Sequence, residues 1–181
     1  MRSLISPRLL LREWEDKDAD FVLDMYSRDE VVRFLGARPQ VLHDHDEALG
    51  RLASWRERQD EKHAVWAVQD RRTGRLLGTV FLVRLLASGE PMQTAAETEV
   101  GWHLHPDAWG NGYATEAATA VLSYAARSGI SPVFAVTYPE NAASQAVCRR
   151  LGMTHVGQTD RYYNMTCELF TTKSGSVKSG S

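Results

Sequence analysis

Two glycines one residue apart, Gly110 and Gly112, stand where a strand gives way to a helix, in the segment Glu99-Val-Gly-Trp-His-Leu-His-Pro-Asp-Ala-Trp-Gly-Asn-Gly-Tyr-Ala-Thr-Glu116. The first amides of a helix have no partners inside it, and the helix dipole adds positive potential at that end. Glycines let the backbone curl so that successive N–H groups form a nest for an anion. A pyrophosphate suits such a turn; the competing reading is a strand-to-helix turn that serves geometry alone. Two other phosphate motifs fit poorly. A P-loop needs a lysine directly after its last glycine, where this chain has Tyr113. The dinucleotide fingerprint needs Gly or Ala at Thr115 and an acidic residue about twenty positions on, where Val133–Thr137 offers none.

Groups able to move protons lie on both sides of that turn. Glu97 and Glu99 share one strand face if side chains alternate, and either carboxylate is a candidate general base, directly or through water. The simpler role for each is a solvated strand residue. Asn141, Ser144 and Cys148 fall at i, i+3 and i+7, hence on one stripe of a helix. Small polar groups among apolar ones suit contact with a ligand. Their simpler roles are an N-cap for Asn141, a local backbone partner for Ser144 and a buried small residue for Cys148. His103 and His105 also alternate together, but two histidines so spaced do not make a metal site, and no metal is expected.

The elements that carry these groups follow from side-chain periodicity. Strands are predicted at Leu9–Arg12, His63–Gln69, Arg75–Leu86, Glu97–His105, Pro132–Thr137, Thr154–Thr159 and Tyr162–Phe170. The second and third of these form a hairpin over the turn residues Asp70–Gly74. Helices are predicted at Asp16–Tyr26 with Asp16 as N-cap, at Asp44–Gln59, at Gly112–Arg127 and at Asn141–Leu151. The third is rich in alanine, which lets a helix approach a sheet closely. Gly152 stops the fourth. The order is α/β or α+β, with a strand–helix–strand–helix run near the centre.

One domain, 1–170, is expected, because a chain of 181 residues sustains a single core. The tail Thr171–Ser181, made of Thr, Ser, Gly, Lys and one Val, is expected to be disordered. A net charge of −2 speaks against nucleic acid as partner, since phosphate neutralisation usually shows as a basic excess. The most apolar stretch, Leu76–Ala87, is too short to span a bilayer, so no membrane is expected. Two cysteines outside any CxxC pair and the lack of a signal-like apolar run at the start point to the cytoplasm.

Trp109-Gly-Asn-Gly112-Tyr-Ala114 resembles motif A of the GCN5-related N-acetyltransferase (GNAT) superfamily, Q/R-x-x-G-x-G/A, with Trp109 at the first position. The form Trp-Gly-x-Gly-Tyr-Ala-Thr-Glu is similar to the branch that acetylates ribosomal-protein N-termini (RimJ/RimL-like). Leu9-Leu-Leu-Arg-Glu13 resembles the first strand of that branch, and Asn141-Ala-Ala-Ser144…Leu151-Gly152-Met153 its later motif. The resemblance covers about Leu9–Phe170.

It implies a mixed, mostly antiparallel sheet of about six or seven strands, flanked by about four helices, with a splayed parallel strand pair holding coenzyme A. It implies transfer of acetyl from acetyl-CoA to a primary amine, a peptide N-terminal α-amine in that branch, by direct attack in a ternary complex. The pantetheine arm would pair with Trp102, His103 and Leu104, and a backbone N–H near His103–Leu104 would polarise the thioester carbonyl. The pyrophosphate would lie on the turn Trp109, Gly110, Asn111, Gly112, Tyr113, Ala114 and Thr115, and Asn141 would bond the cofactor arm. Glu99 matches the glutamate before Val-Gly. Many members place a tyrosine seven residues after the asparagine; this chain has Cys148 there, so Ser144 becomes the first candidate proton donor to the thiolate. The acceptor pocket is expected around Tyr26–His45 and Gln158–Asn164, where Arg161, Tyr162 and Tyr163 cluster. Acetylation of an amino acid, polyamine or antibiotic, a silent CoA-binding regulatory domain, and a homodimer remain open.

Overall fold

Side-chain alternation sends successive residues of each central strand to opposite faces of a sheet, and both faces are covered in the computed structural model, which describes residues 3–172. The chain opens with β1 (Leu4–Ile5) and β2 (Leu9–Arg12), then α1 (Ala19–Tyr26), α2 (Asp29–Val32) and α3 (His45–Glu57). Three long strands follow, β3 (Ala64–Asp70), β4 (Leu76–Ala87) and β5 (Gln93–Leu104). The chain ends with α4 (Tyr113–Arg127), β6 (Val133–Thr137), α5 (Ala142–Arg150), β7 (Thr154–Thr159) and β8 (Cys167–Thr171). The eight strands form one sheet in the order β1-β2-β3-β4-β5-β6-β8-β7, antiparallel at every junction except β5–β6.

β3 shows the two layers most clearly. Its Ala64, Trp66 and Val68 join a core with the α4 residues Ala117, Ala118, Val121 and Ala125. Its Val65 and Ala67 join a second core with Val22, Met25 and Tyr26 of α1 and Ala48 and Leu52 of α3. The buried alanines of α4 let that helix lie close on β4 and β5, which sets the height of the turn that precedes it.

The hairpin expectation holds. Asp70 Oδ1 accepts the amides of Arg72 and Thr73, and Gly74 closes the turn with a positive φ of 74°. Other expectations need correction. Among the described residues the sheet has eight strands and five α-helices are present, because the short elements β1 and α2 carry too few residues to show a period. The N-cap position expected at Asp16 falls to Asp18 for α1, since 16–18 form a separate 3-10 turn whose own N-cap is Glu15. Asp18 there is buried against Arg12, with its two oxygens 2.7 and 2.9 Å from the guanidinium. The last strand begins at Cys167 rather than Tyr162. Tyr163 and Asn164 adopt φ of 60° and 52°, a left-handed conformation incompatible with a strand. Asn164 tolerates it by bonding both Gly89 backbone groups through its carboxamide. Thr171 belongs to β8, and Thr172 exchanges bonds with Val133; the rest of the expected tail lies outside the described residues.

Gly78 decides how closely β4 can approach the end of β5. Its φ is +153°, and a Cβ there would meet the His103 carbonyl oxygen at 2.2 Å and the Leu104 Cα at 2.7 Å. Both obstacles are backbone. Gly78→Ala is therefore expected to destabilise the protein by roughly 2–4 kcal/mol in urea titration, whereas a midpoint like wild type would mean that the β4–β5 register yields freely.

Candidate functional site

β5 and β6 run parallel for only two pairs, Thr98↔Val133 and Glu99↔Phe134. Beyond them β6 turns toward β8, pairing Ala135 with Phe170 and Thr137 with Glu168. β5 stays with β4 as far as Gly78↔Leu104, so its Val100–Leu104 stretch has no strand on the β6 side. Backbone donors and acceptors on that edge are left for another partner. A cleft of about 1980 Å³ opens between the two strands.

At one end of the cleft lies the glycine turn. His105 caps a 3-10 turn at 106–108, and the Trp109 indole N–H donates to the Leu104 carbonyl at 2.9 Å. Gly110 and Gly112 then take φ of 75° and 77°, which only glycine adopts without strain. Gly112 is the N-cap of α4 and carries no capping side chain, so the first-turn amides of a fifteen-residue helix face the cleft unshielded. The turn is braced from the N-terminal segment. Glu116 accepts from the Ser6 hydroxyl at 2.6 Å, the Arg8 amide at 2.8 Å and the Arg8 guanidinium at 2.6 Å. Burial works against ionisation of Glu116, but these bonds outweigh it and hold its carboxyl below the usual range. Arg8 also donates to the Asn111 carbonyl and stacks 4.6 Å over the Tyr113 ring. Arg150 reaches the Thr115 hydroxyl at 3.3 Å from the end of α5.

Where the strands part, the buried carboxyl of Glu99 accepts a short hydrogen bond from the Tyr163 hydroxyl. Burial is the dominant influence and, against the bonds from Tyr163 and a Val136 backbone group, pushes the Glu99 pKa up to about 7. Tyr163 arrives there because its loop is stapled to the end of β4. Ser88 donates to the Asp160 carbonyl at 2.6 Å, and the Tyr163 amide donates to the Leu86 carbonyl at 3.0 Å. On the same β5 face, His103 Nδ1 lies 2.9 Å from the Tyr26 hydroxyl, which also bonds Thr79. Burial, aided by the nearby Arg51 charge, depresses the His103 pKa to about 3, so its ring stays neutral.

Glu97 and Glu99 do share a face, since both meet the same loop. Glu97, however, bonds Arg161 at 3.1 Å and the Tyr162 hydroxyl at 3.2 Å and does not line the cleft. Its role is to fix the loop. Cys148 packs at 0% exposure in the core shared with α4, away from the cleft, and burial pushes its thiol up to about 12. Asn111 likewise turns its carboxamide back onto the carbonyls of Ala108 and Trp109. Asn141 caps α5 through Oδ1, which accepts the Ser144 amide at 3.1 Å. Asn141, Ser144, Trp102, His103, Leu104, Trp109 and the turn residues Gly110 and 112–115 line one cleft with Glu99. From the regions expected for the acceptor, residues 29–36, 39–43 and Tyr163 line it too, while Arg161 and Tyr162 do not.

Thr137 was not anticipated. Its hydroxyl is buried on β6 just past the parting, lines the cleft and has no partner among the described residues. A buried hydroxyl without a partner costs free energy unless a ligand satisfies it. Together with the open β5 edge and the anion-ready turn, it fits an extended polar ligand with a pyrophosphate at one end.

The acetyltransferase (GNAT) domain family matches residues 8–154 of the chain. The chain belongs to the GNAT N-acetyltransferases. It is 30% identical over 177 residues to the Bacillus subtilis (strain 168) protein YkkB, covering 94% of this chain and 95% of that one. It is 29% identical over 161 residues to the uncharacterized N-acetyltransferase YoaA of the same strain, covering 88% and 86%. RimL, a ribosomal L7/L12 α-N-protein acetyltransferase solved with coenzyme A, shares the fold at a TM-score of 0.76 and 15% identity, covering 94% of this chain and 97% of that one. Acetyl-CoA is accordingly the acetyl donor of this GNAT enzyme. Among the described residues no cluster of His, Cys, Asp or Glu is arranged to hold a metal, and no helix is long and apolar enough to cross a membrane.

A Glu99 pKa raised on folding links stability to pH. The folded state holds a proton that the unfolded state releases near pH 4.5, so this linkage lowers stability as pH rises from there through about 7. Glu99→Gln removes it. The melting temperature of that variant relative to wild type should therefore climb between pH 5 and pH 8; a difference flat across that window would place the Glu99 pKa in the ordinary range.

Proposed function

We propose that the enzyme acetylates peptide N-terminal α-amines, using Glu99 as the base at the parting of β5 and β6. The carrying observation is the buried Glu99 carboxyl, held by the Tyr163 hydroxyl at the point where the free strand edge begins, where burial pushes its pKa up to about 7. The Gly110–Thr115 turn would take the pyrophosphate of acetyl-CoA, Trp102–Leu104 would pair with its pantetheine arm, and Asn141 and Thr137 would offer further polar contacts. When bound, acetyl-CoA supplies a thioester as the electrophile.

The remaining work falls to side chains and backbone. Glu99 removes the proton from the incoming amine, directly or through water, while the Tyr163 hydroxyl fixes its carboxyl. A backbone N–H near His103–Leu104 would be the donor to the acetyl oxygen and would stabilise charge that builds there. The Ser144 hydroxyl returns a proton to the departing sulfur. Cys148 is too deeply packed for that role, as its thiol lies in the core.

Acid–base matching favours an α-amine. A terminal α-amino group has a pKa of about 7.7–8.0, close to that of Glu99, whereas lysine lies near 10.4, more than three units away. Likeness in fold to RimL supports the same reading. A short peptide with a free N-terminus should thus give a far higher kcat/KM than the same peptide N-acetylated and carrying one lysine; the reverse order would overturn the α-amine assignment. Glu99→Gln should lower kcat/KM by about 10²–10⁴. In the wild type kcat/KM should fall about tenfold per pH unit below about 7, as Glu99 takes up its proton. Ser144→Ala should reduce kcat more than it weakens acetyl-CoA binding, and an unchanged kcat would assign the proton to water.

Cofactor binding has its own test. Gly112→Asp places a charged side chain at a φ of +77° inside the turn. Calorimetry should show acetyl-CoA affinity reduced at least about tenfold in a variant that still folds, since one lost charge-assisted contact is worth that much. Undiminished affinity would leave the turn a purely geometric element.

A further inference from the structure

Several arginines in this protein answer a carboxylate. Arg8 pairs with Glu116, Arg12 with Asp18, Arg28 with Asp24, Arg56 with Asp16, and Arg161 with Glu97. In the acceptor half of the cleft, Arg33, which covers the Phe34 ring at 4.7 Å, Arg51 and Arg58 have no such partner. Arg51 lies on α3 and Arg58 directly follows it, and both line the cleft with Ser54 between them. Neither side chain forms an ion pair or hydrogen bond with any described residue. Arg51 is half-buried, with its guanidinium 4.7 Å from the centre of the Tyr26 ring. That ring is fully buried and bonded to His103, which keeps Arg51 beside the β5 face that also carries Glu99. Arg58 lies near Tyr163, the residue that holds Glu99.

The carboxylates that share the cleft do not quench this pair. Glu47 accepts the His43 amide at 2.8 Å, and Asp29 and Glu30 lie on α2 without an ion pair to either arginine. Seven residues along a helix span about 10.5 Å, so the backbone positions of the two arginines are about as far apart as three residues of an extended peptide at about 3.4 Å each. A guanidinium left without a protein anion in a cleft suits an oxyanion that it can bind in a bidentate manner, which on an amine acceptor is most simply a carboxylate.

We propose that the acceptor amine carries a carboxylate close by, within the first three residues of a peptide or as the α-carboxylate of a free amino acid, held by Arg51 and Arg58. This inference rests on the acetyltransferase reading of the cleft and adds the charge of the acceptor. An amine entering toward Glu99 would lay its acidic group along α3, with the neutral His103 offering no competing charge.

The test compares decapeptides with free N-termini that differ only at positions two and three, Asp-Glu against Asn-Gln, alongside free phenylalanine and phenylalaninamide. The acid-bearing member of at least one pair should show a kcat/KM higher by about tenfold or more, the size of a charge-assisted contact. Which pair does so identifies the source of the carboxylate. In the Arg51→Gln/Arg58→Gln double variant the two members should converge through a rise in KM for the acidic one, with calorimetric acetyl-CoA affinity unchanged. Equal rates within both pairs on the wild type, or a preference that survives in the double variant, would overturn the proposal while leaving the acetyltransferase assignment standing. Binding gives a second readout that does not need turnover. The N-acetylated products of the same pairs, titrated into the CoA complex, should bind more tightly when they carry the carboxylate. Equal binding would sink the inference even if no acceptor in the panel reacts.

Discussion

Strands β5 and β6 share only the pairs Thr98–Val133 and Glu99–Phe134 before they part, and that short contact governs the rest of the molecule. A longer parallel pairing would close the sheet, satisfy the β5 edge internally and leave no cleft. A shorter one would detach β6, β8 and β7 from the first five strands. Two competing sets of pairs hold the balance. β4 keeps β5 on its course to Leu104, while β8 draws β6 away from Ala135 onward. The α4 crossover wedges beneath, and its alanine stripe lets it lie close enough for the glycine turn to open at the mouth of the gap.

The same parting explains why a carboxyl can be buried at Glu99. A desolvated acid is costly in its charged form. The protein keeps it there with a hydroxyl partner whose position is over-determined. Tyr163 sits in a left-handed turn that Asn164 fastens to Gly89 and Ser88 fastens to Asp160, while Glu97 clamps the neighbouring Arg161 and Tyr162. Stability is thus spent in one place to set a pKa near neutrality in another, a pattern characteristic of functional carboxyls. Glu97 and Glu99 look equivalent as letters two apart on a strand. They differ because one meets a cation at the surface and the other meets a buried phenol.

What could be read from the sequence follows the range of the forces involved. Strand and helix periods are local, so the central hairpin, α3, α4 and α5 were legible to within a few residues. The glycine turn was legible because a positive φ restricts residue choice at Gly110 and Gly112. The strand start at Cys167 was missed because Tyr162 and Tyr163 are strong strand formers that the Asn164–Gly89 bonds pull into a turn, contacts separated by 75 residues. For Cys148 the sequence left two roles open, proton donor and buried small residue. Its place on a helical stripe with Asn141 and Ser144 is real, but the stripe runs from the cleft into the core, and only packing shows where it goes under. Thr137, Arg51 and Arg58 gave no signal at all, since an unmet donor or charge is defined by what does not surround it.

Charge layout carries the last part of the argument. A net charge of −2 suggests a protein indifferent to anions, yet local fields in a low-dielectric cleft depend on arrangement rather than sum. Arg8 and Arg150 stand by the glycine turn, where the helix dipole of α4 already favours negative charge, and Arg51 and Arg58 stand at the acceptor end. Between them the β5 face is neutral: His103 cannot protonate near neutral pH, and Glu99 is only partly ionised. A cationic amine is therefore not drawn in by bulk negative charge. On the proposed reading, an anionic neighbour held along α3 would carry it in, and it would lose its proton to Glu99 at the parting of the strands. With Arg150 by the glycine turn, Arg51 and Arg58 along α3 and a titrating carboxyl between them, the order of charges along the cleft would act as a filter on which amines reach the thioester.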